Sequence, residues 1–176
     1  VLVEASPRLR RIQEERLAPL HPRIVWADAV PDERPVYLLA NEFLDALPVR
    51  QFVHRGGAWF ERTVGLVDDR LAFGLSPFPA PLREEAAPEG AVREIRPAAD
   101  ALVREIAGHV AAEGAGAALF VDYGYDRPGH GDTLQAVRGH APVDVLDRPG
   151  ESDVSAHVDF AAVAAAARAA GAVVHG

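Results

Sequence analysis

The sequence predicts an α/β fold: an open parallel sheet with flanking helices, interrupted by an antiparallel β-rich insertion. Three observations predict it. Short apolar runs alternate with helical stretches near the start and again in the second half of the chain. Four of those runs end in polar or acidic residues: Glu4, Asp28, Asn41-Glu42 and Asp122. Between residues 49 and 80 the pattern changes to longer β-rich runs joined by Gly56-Gly57 and Asp68-Asp69, both strong hairpin signals.

The elements follow in order. Residues 1–3 are an apolar strand closed by Glu4. Ser6-Pro7 then opens a helix, since serine caps well and proline is pre-organised for a first turn. Leu9, Ile12 and Leu20 are its expected apolar stripe. "RIVWADAV" reads as a second strand running into Asp28, and "VYLLANEF" as a third. "VRQFVH", "AWFERTVGLV" and "RLAFGL" are the strands of the insertion, and "SPFPAPLREEAAPEG" is a proline-rich connector. Residues 97–113 are helical, with Leu102, Val103, Ile106 and Val110 on one face and Gly114 as C-terminal cap. "AALFVDYGY" is a buried strand ending at Asp122 and Tyr123. A long connection, 124–157, follows; connections of that length inside a domain are more often functional than accidental. Asp159 caps a last helix, with Val158 and Val163 spaced as a hydrophobic staple. Gly171 ends it, and "AVVHG" begins another strand. The strands at 1–3, 25–26, 36–40 and 118–121 are expected to be parallel neighbours.

Composition narrows the function. The chain has 176 residues, 49% hydrophobic and 25% charged, which suits one globular domain. There is no cysteine, so no disulfide, thiolate nucleophile or cysteine zinc site. All 18 basic residues are arginine, so there is no Schiff-base or P-loop lysine. The formal charge is −8 with no basic stripe, which argues against nucleic acid as a partner and favours a cationic one. No apolar run reaches the length of a membrane span. His130, His140 and His157 lack tight ligand spacing, so no metal is expected. There is no methionine, and both ends read as strands, so the chain is expected to be an internal piece of a longer protein.

Ligands of open α/β sheets bind beyond the carboxyl ends of the strands. If the strands are parallel, Glu4, Asp28, Asn41-Glu42 and Asp122 share one edge. An acid after an early strand can accept both ribose hydroxyls of a nucleoside cofactor, and Asp28 is placed to meet an adenine edge. Each acid taken singly also reads as a helix cap or a solvated loop residue. Asp45 also reads as a helix cap, His157 as a core or capping histidine, and Tyr123 as packing. No glycine-rich turn precedes Glu4, and Gly129 to Gly131 has no helix after it at the right place.

"VEASPRLRRIQ", "ANEFLDALPVRQF", "FVDYGY", "DTLQAVRGH" and "SDVSAHVDF", in this order, closely resemble the MidA-like class I S-adenosylmethionine-dependent methyltransferases. That family includes the mitochondrial protein arginine methyltransferase that assists respiratory complex I assembly. The resemblance implies a Rossmann-like methyltransferase sheet over 1–48 and 90–176, lacking its glycine-motif strand and truncated at both ends. Residues 49–89 then form the β-rich insertion and connector. It implies S-adenosyl-L-methionine as cofactor, with Glu4 at the ribose, Asp28 near the adenine and Asn41 beside the methyl group. By analogy with arginine methyltransferases, Glu42 and Asp45 would grip a guanidinium, and His157 with Asp159 would supply a closing loop. The implied partner is a protein substrate carrying an arginine, such as a complex I subunit, in the bacterial cytoplasm or the mitochondrion. Two other functions share these features: a non-catalytic assembly factor on the same fold, and a nicotinamide-dependent oxidoreductase. No residue set for hydride transfer supports the latter.

Overall fold

The computed structural model describes residues 1–32, 35–82, 87–112, 116–127 and 129–176. Strand β1 (Leu2–Val3) leads into helix α1 (Pro7–Leu17). The Ser6 hydroxyl accepts from the Leu9 N–H at 3.3 Å, so the expected cap is present. The expected stripe is only partly realised. The helix ends at Leu17, just before Pro19, which has no N–H to continue the ladder; Leu20 lies beyond it, exposed, and α1 fully buries none of its residues. Strand β2 (Trp26–Ala27) and strand β3 (Tyr37–Asn41) follow.

The insertion is an antiparallel sheet. Its strands are β4 (Arg50–Arg55), β5 (Ala58–Val67), β6 (Arg70–Pro79) and β7 (Val92–Ile95), in the order β6-β5-β4-β7. Both turn signals act as read. Gly56 and Gly57 have φ of +56° and +79°, and Asp68 and Asp69 have +49° and +59°, the paired positive values that a two-residue hairpin requires. The connector begins later than expected, because β6 continues through the prolines to Pro79. That is possible on an edge strand, beside an irregularity between Phe60 and Arg62. Strand β7 had no sequence signal of its own; it pairs with β4 and turns Val92 and Glu94 inward.

Helix α2 (Pro97–Ala111) buries Ala99, Val103, Ile106 and Ala107, and its expected cap, Gly114, lies outside the described residues. Strand β8 (Ala117–Val121) follows. The long connection is corrected: it is largely structured. It contains β9 (Gly124–Tyr125), β10 (Gln135–Arg138), β11 (Ala141–Val143), β12 (Asp153–Ser155) and β13 (Val158–Asp159). Strands β11, β10 and β12 form a small antiparallel sheet. Helix α3 (Phe160–Ala169) is capped by Asp159, which accepts from the Ala162 N–H at 2.9 Å. Residues 172–176 form no strand, against expectation; no described strand pairs with them.

The four central strands pair two by two, each pair parallel. Leu2 and Val3 face Trp26 and Ala27; Tyr37 to Asn41 face Ala117 to Val121. Among the described residues no ladder joins one pair to the other, so the expected row of four neighbours is met only within the pairs. The core lies beneath the second pair. Leu44, Ala99, Val103, Val158 and Ala166 are its buried centre, with Leu47, Phe120, Phe160 and Val163 packed against them. The staple read from Val158 and Val163 is thus part of the core. Leu44, fully buried, fastens the segment after β3 to that core.

Candidate functional site

Strand register brings the predicted acids together in two groups. Glu4 and Asp28 each lie one residue past the paired Val3 and Ala27. Glu42 and Asp122 each lie one residue past the paired Asn41 and Val121. All are at carboxyl ends of parallel strands, the edge at which α/β sheets bind ligands.

The second group is built by Asp122. Its carboxylate accepts from the backbone N–H groups of Phe43, Leu44 and Asp45 at 3.0, 3.3 and 3.2 Å. An ionised carboxylate that collects three amides fixes that backbone firmly. The turn it fixes is strained. Glu42 has φ of +47°, a left-handed conformation uncommon outside glycine and asparagine, and its N–H donates to the Val121 carbonyl at 2.8 Å. Its side chain is exposed at the sheet edge and caps no helix. Strain of this kind is retained where the surroundings over-determine it, and such places cluster at functional sites.

Asp45 is half-buried beside this turn. Burial first, and then the negative charge of Asp122, hold its carboxyl above the usual carboxylate range. Glu42 adds to the same push. Three acids are therefore gathered at one edge, Glu42 and Asp45 from the turn and Asp122 from the end of β8, where a cation would relieve their repulsion. The backbone carbonyl of Asp45 also accepts from the Ala156 N–H at 3.1 Å, which ties the turn to the segment carrying His157.

The first group is more open. Glu4 accepts from the Ser6 N–H at 2.8 Å and the Gln13 amide at 3.0 Å, one bond on each oxygen. Each oxygen keeps a lone pair, so holding Ser6 and Gln13 and accepting hydroxyls are compatible. Asp28 is exposed and receives Arg10 Nη1 at 2.7 Å. Arg10 thereby ties α1 to the end of β2, and Gln13 joins the two strands by donating to Glu4 and accepting from Trp26 Nε1 at 3.1 Å.

His157 is exposed and is held through its backbone. Its N–H donates to Thr133 Oγ1 at 2.9 Å. The Thr133 N–H donates to Glu94 Oε1 at 3.0 Å, and the Thr133 hydroxyl bonds to Glu94 Oε2 at 2.5 Å. Glu94 also receives the Gln51 amide at 2.8 Å, and Gln51 donates to Asp132, which pairs with Arg62 at 2.8 Å. A buried carboxylate on β7 thus holds the "DTLQ" segment and, through it, the His157 loop. Nothing in the local sequence around Glu94 signals this, because its hydrogen-bond partners Gln51 and Thr133 lie 43 and 39 residues away. Arg96 was missed for the same reason. It is 6% exposed, with Nη2 at 4.0 Å from Glu94, and Nε and Nη2 have no hydrogen-bond partner. Burial pulls its guanidinium below the usual arginine range, against the opposing pull of the nearby acids Glu94, Asp45 and Asp159. Gly124 is the remaining fixture: a Cβ there would meet the Val158 carbonyl oxygen at 2.1 Å, so only glycine lets β9 lie against β13.

Comparison with known proteins decides the family. A family model described as "Putative S-adenosyl-L-methionine-dependent methyltransferase" matches residues 1–176. The chain belongs to the MidA-like S-adenosyl-L-methionine-dependent methyltransferases. Among curated relatives, "Protein arginine methyltransferase NDUFAF7, mitochondrial" of Mus musculus is 37% identical over 138 residues, covering 74% of this chain and 30% of that one. The Danio rerio protein of the same name is 31% identical over 186 residues, covering 90% and 44%. Of solved structures, a COG1565 superfamily protein from Burkholderia thailandensis superposes with a TM-score of 0.81 at 33% identity, covering 96% of this chain and 49% of that one. A second, bound to S-adenosyl-homocysteine, gives 0.79 at 34% identity, covering 96% and 47%. The chain therefore spans less than half the length of the relatives it matches. The fold is accordingly the Rossmann-like methyltransferase α/β fold, and the family's cofactor is S-adenosyl-L-methionine.

The residues present suit part of that cofactor. Free lone pairs on Glu4 suit ribose hydroxyls, and the neighbouring Asp28 adds a second acceptor. Among the described residues no glycine-rich turn of the dinucleotide type is found for the methionine end.

Proposed function

We propose that this chain contributes the adenosine-side and acceptor-side residues of a protein arginine methyltransferase. The observation that carries the proposal is the turn after β3: Glu42, Asp45 and Asp122 gathered at the sheet edge, with Asn41 at the strand end. That arrangement suits a planar cation, which a pair of carboxylates can hold in a bidentate fork. The names of the mouse and zebrafish relatives support arginine as the target.

The cofactor supplies an activated methyl group, so the protein's task is chiefly alignment. In this reading Glu4 and Asp28 hold the adenosine, and Asn41 borders the reacting edge. Glu42 fixes the guanidinium and turns one nitrogen toward the methyl group. Asp45, its proton affinity raised by burial and by Asp122, is suited to receive the proton the nitrogen gives up. His157, held through Thr133, closes the site from the opposite side. The substrate is a protein, with a respiratory complex I subunit the candidate drawn from the family resemblance. The place of action is the mitochondrion in a eukaryote and the cytoplasm in a bacterium.

The test is transfer of labelled methyl from S-adenosyl-L-methionine by the full-length protein to matched peptides carrying arginine or lysine. Label in the arginine peptide, recovered as methylarginine on hydrolysis, is the expected result. Label on lysine, or cofactor binding with no transfer to either, contradicts the reading; the latter outcome favours an assembly factor on a methyltransferase fold.

A further inference from the structure

Beside the acidic turn lies an open apolar groove of about 310 Å³, a volume at the lower end of those that seat a ligand. One wall is the hairpin of the insertion, where Val64 and Phe73 sit directly opposite each other. The other walls are Leu47 from the turn itself, Val154 from β12 and Leu146 from the connection between β11 and β12. Val64 is 54% exposed, Phe73 44% and Val154 40%, so their apolar faces remain open to solvent. Among its lining residues Asp45 is the single ionisable one. The nearest cation on the hairpin, Arg62, lies over the Phe73 ring at 5.2 Å but is engaged by Asp132 and Gln51, and Arg96, the cation that does act on Asp45, is shared with Glu94 and Asp159.

We propose that this groove seats the segment of a protein substrate that flanks the target residue, with an apolar side chain over Val64, Phe73 and Val154 and a basic side chain directed to Asp45. The inference rests on the proposed acceptor role of the turn and adds a specificity determinant to it. Charge complementarity chooses the occupant. An apolar trough with one carboxylate discriminates against acidic and strongly polar segments. It accepts a long basic side chain, whose aliphatic stem lies on apolar surface while its head finds the acid. A large side chain beside the basic residue gains burial that serine or glycine does not. The insertion then has a function: it supplies the wall that reads sequence next to the modified residue, whereas the parallel strands supply the chemistry.

The experiment uses the full-length protein and two fluorescein-labelled peptides that differ only in having leucine or serine beside a single arginine. Anisotropy measures binding in the presence of S-adenosyl-homocysteine, so affinity is read without turnover. The leucine peptide is expected to bind about tenfold more tightly than the serine peptide, roughly the value of one well-buried apolar anchor. Phe73→Ser is expected to bring the leucine peptide down to the level of the serine peptide while leaving the serine peptide and cofactor affinity unchanged. Equal binding of the two peptides to the unmodified protein overturns the proposal, whatever the variant does. So does a change from dimer to monomer on Phe73→Ser in sedimentation, which would assign the groove to a second copy of the chain. A leucine preference without methyl transfer leaves the groove assigned and removes the arginine-methylation reading. Transfer without a leucine preference does the reverse.

Discussion

Asp45 and Glu42 each cost stability, in ways that point to use. A carboxyl whose pKa is raised in the folded chain binds its proton more tightly there than when unfolded. Its contribution is therefore most favourable at low pH and declines as pH rises from the ordinary 3.8 through the raised folded value. Asp45→Asn removes this penalty and the repulsion from Asp122. The expected outcome is a higher Tm than the parent at pH 7, with the advantage shrinking toward about pH 4; thermal melts across that range check it. Glu42 carries a backbone cost instead. Glu42→Gly suits φ of +47° and is expected to be neutral or to stabilise by up to about 1 kcal/mol in denaturant melts. A glycine that destabilised the chain would mean that the Glu42 side chain has a structural role. Stabilising losses at two neighbouring acids would be the mark of residues kept for function.

At the scale of elements, legibility followed the range of the forces involved. Ser6, Asp159 and the Gly56-Gly57 and Asp68-Asp69 turns were readable because caps and tight turns are decided by residues within a few positions. The acids at the strand ends were readable because an apolar run stopping at a carboxylate is a local pattern. The way Asp122 uses its carboxylate was not, since its amide partners lie 77 to 79 residues away. Strand β7 and the small sheet of β10, β11 and β12 were hidden for a related reason. They are short, set among glycine, proline and aspartate, and held by distant contacts such as Thr133 to Glu94 and Arg138 to Asp147. Gly124 sits where local and distant demands meet. Gly124→Ala would drive a methyl group into the Val158 carbonyl and against the Phe160 ring, with little room to relax. A loss of about 3 kcal/mol or more is expected in denaturant unfolding, together with faster exchange of the Val158 amide. An unchanged midpoint would show that β9 and β13 do not meet as described.

For the whole molecule, the two parallel pairs present their acids on one kind of edge, and the antiparallel insertion stands beside the second pair. Exposed apolar residues on the strands, such as Val3, Tyr37, Leu39 and Leu119, mark faces of the parallel pairs that the described chain leaves open. The formal charge of −8 spreads the acidic character of the site over the molecule, which favours approach of a basic protein segment. In the proposed reading the site is divided: cofactor recognition at Glu4, Asp28 and Asn41, acceptor recognition at Glu42 and Asp45. That division makes the two functions separable by mutation. In the full-length protein Glu4→Ala is expected to weaken S-adenosyl-L-methionine by about 1.5–3 kcal/mol, the scale of lost charge-assisted hydrogen bonds, without altering which peptides are accepted. Calorimetry decides it; an unchanged Kd would leave Glu4 as a support for Ser6 and Gln13 at the start of α1 and nothing more.

If the turn after β3 holds a guanidinium, as proposed, Glu42→Gln must impair methyl transfer. The change preserves size and hydrogen bonding and removes only charge. Because Glu42 is exposed and is positioned by its own backbone, folding does not depend on that charge. Methyl transfer to an arginine peptide by the full-length protein, measured with labelled cofactor alongside Tm and cofactor affinity, is expected to fall roughly 100-fold, about 2.7 kcal/mol of transition-state stabilisation, while the other two hold. Undiminished transfer would contradict the claim for Glu42, and a Tm that fell in step with activity would make it a structural residue.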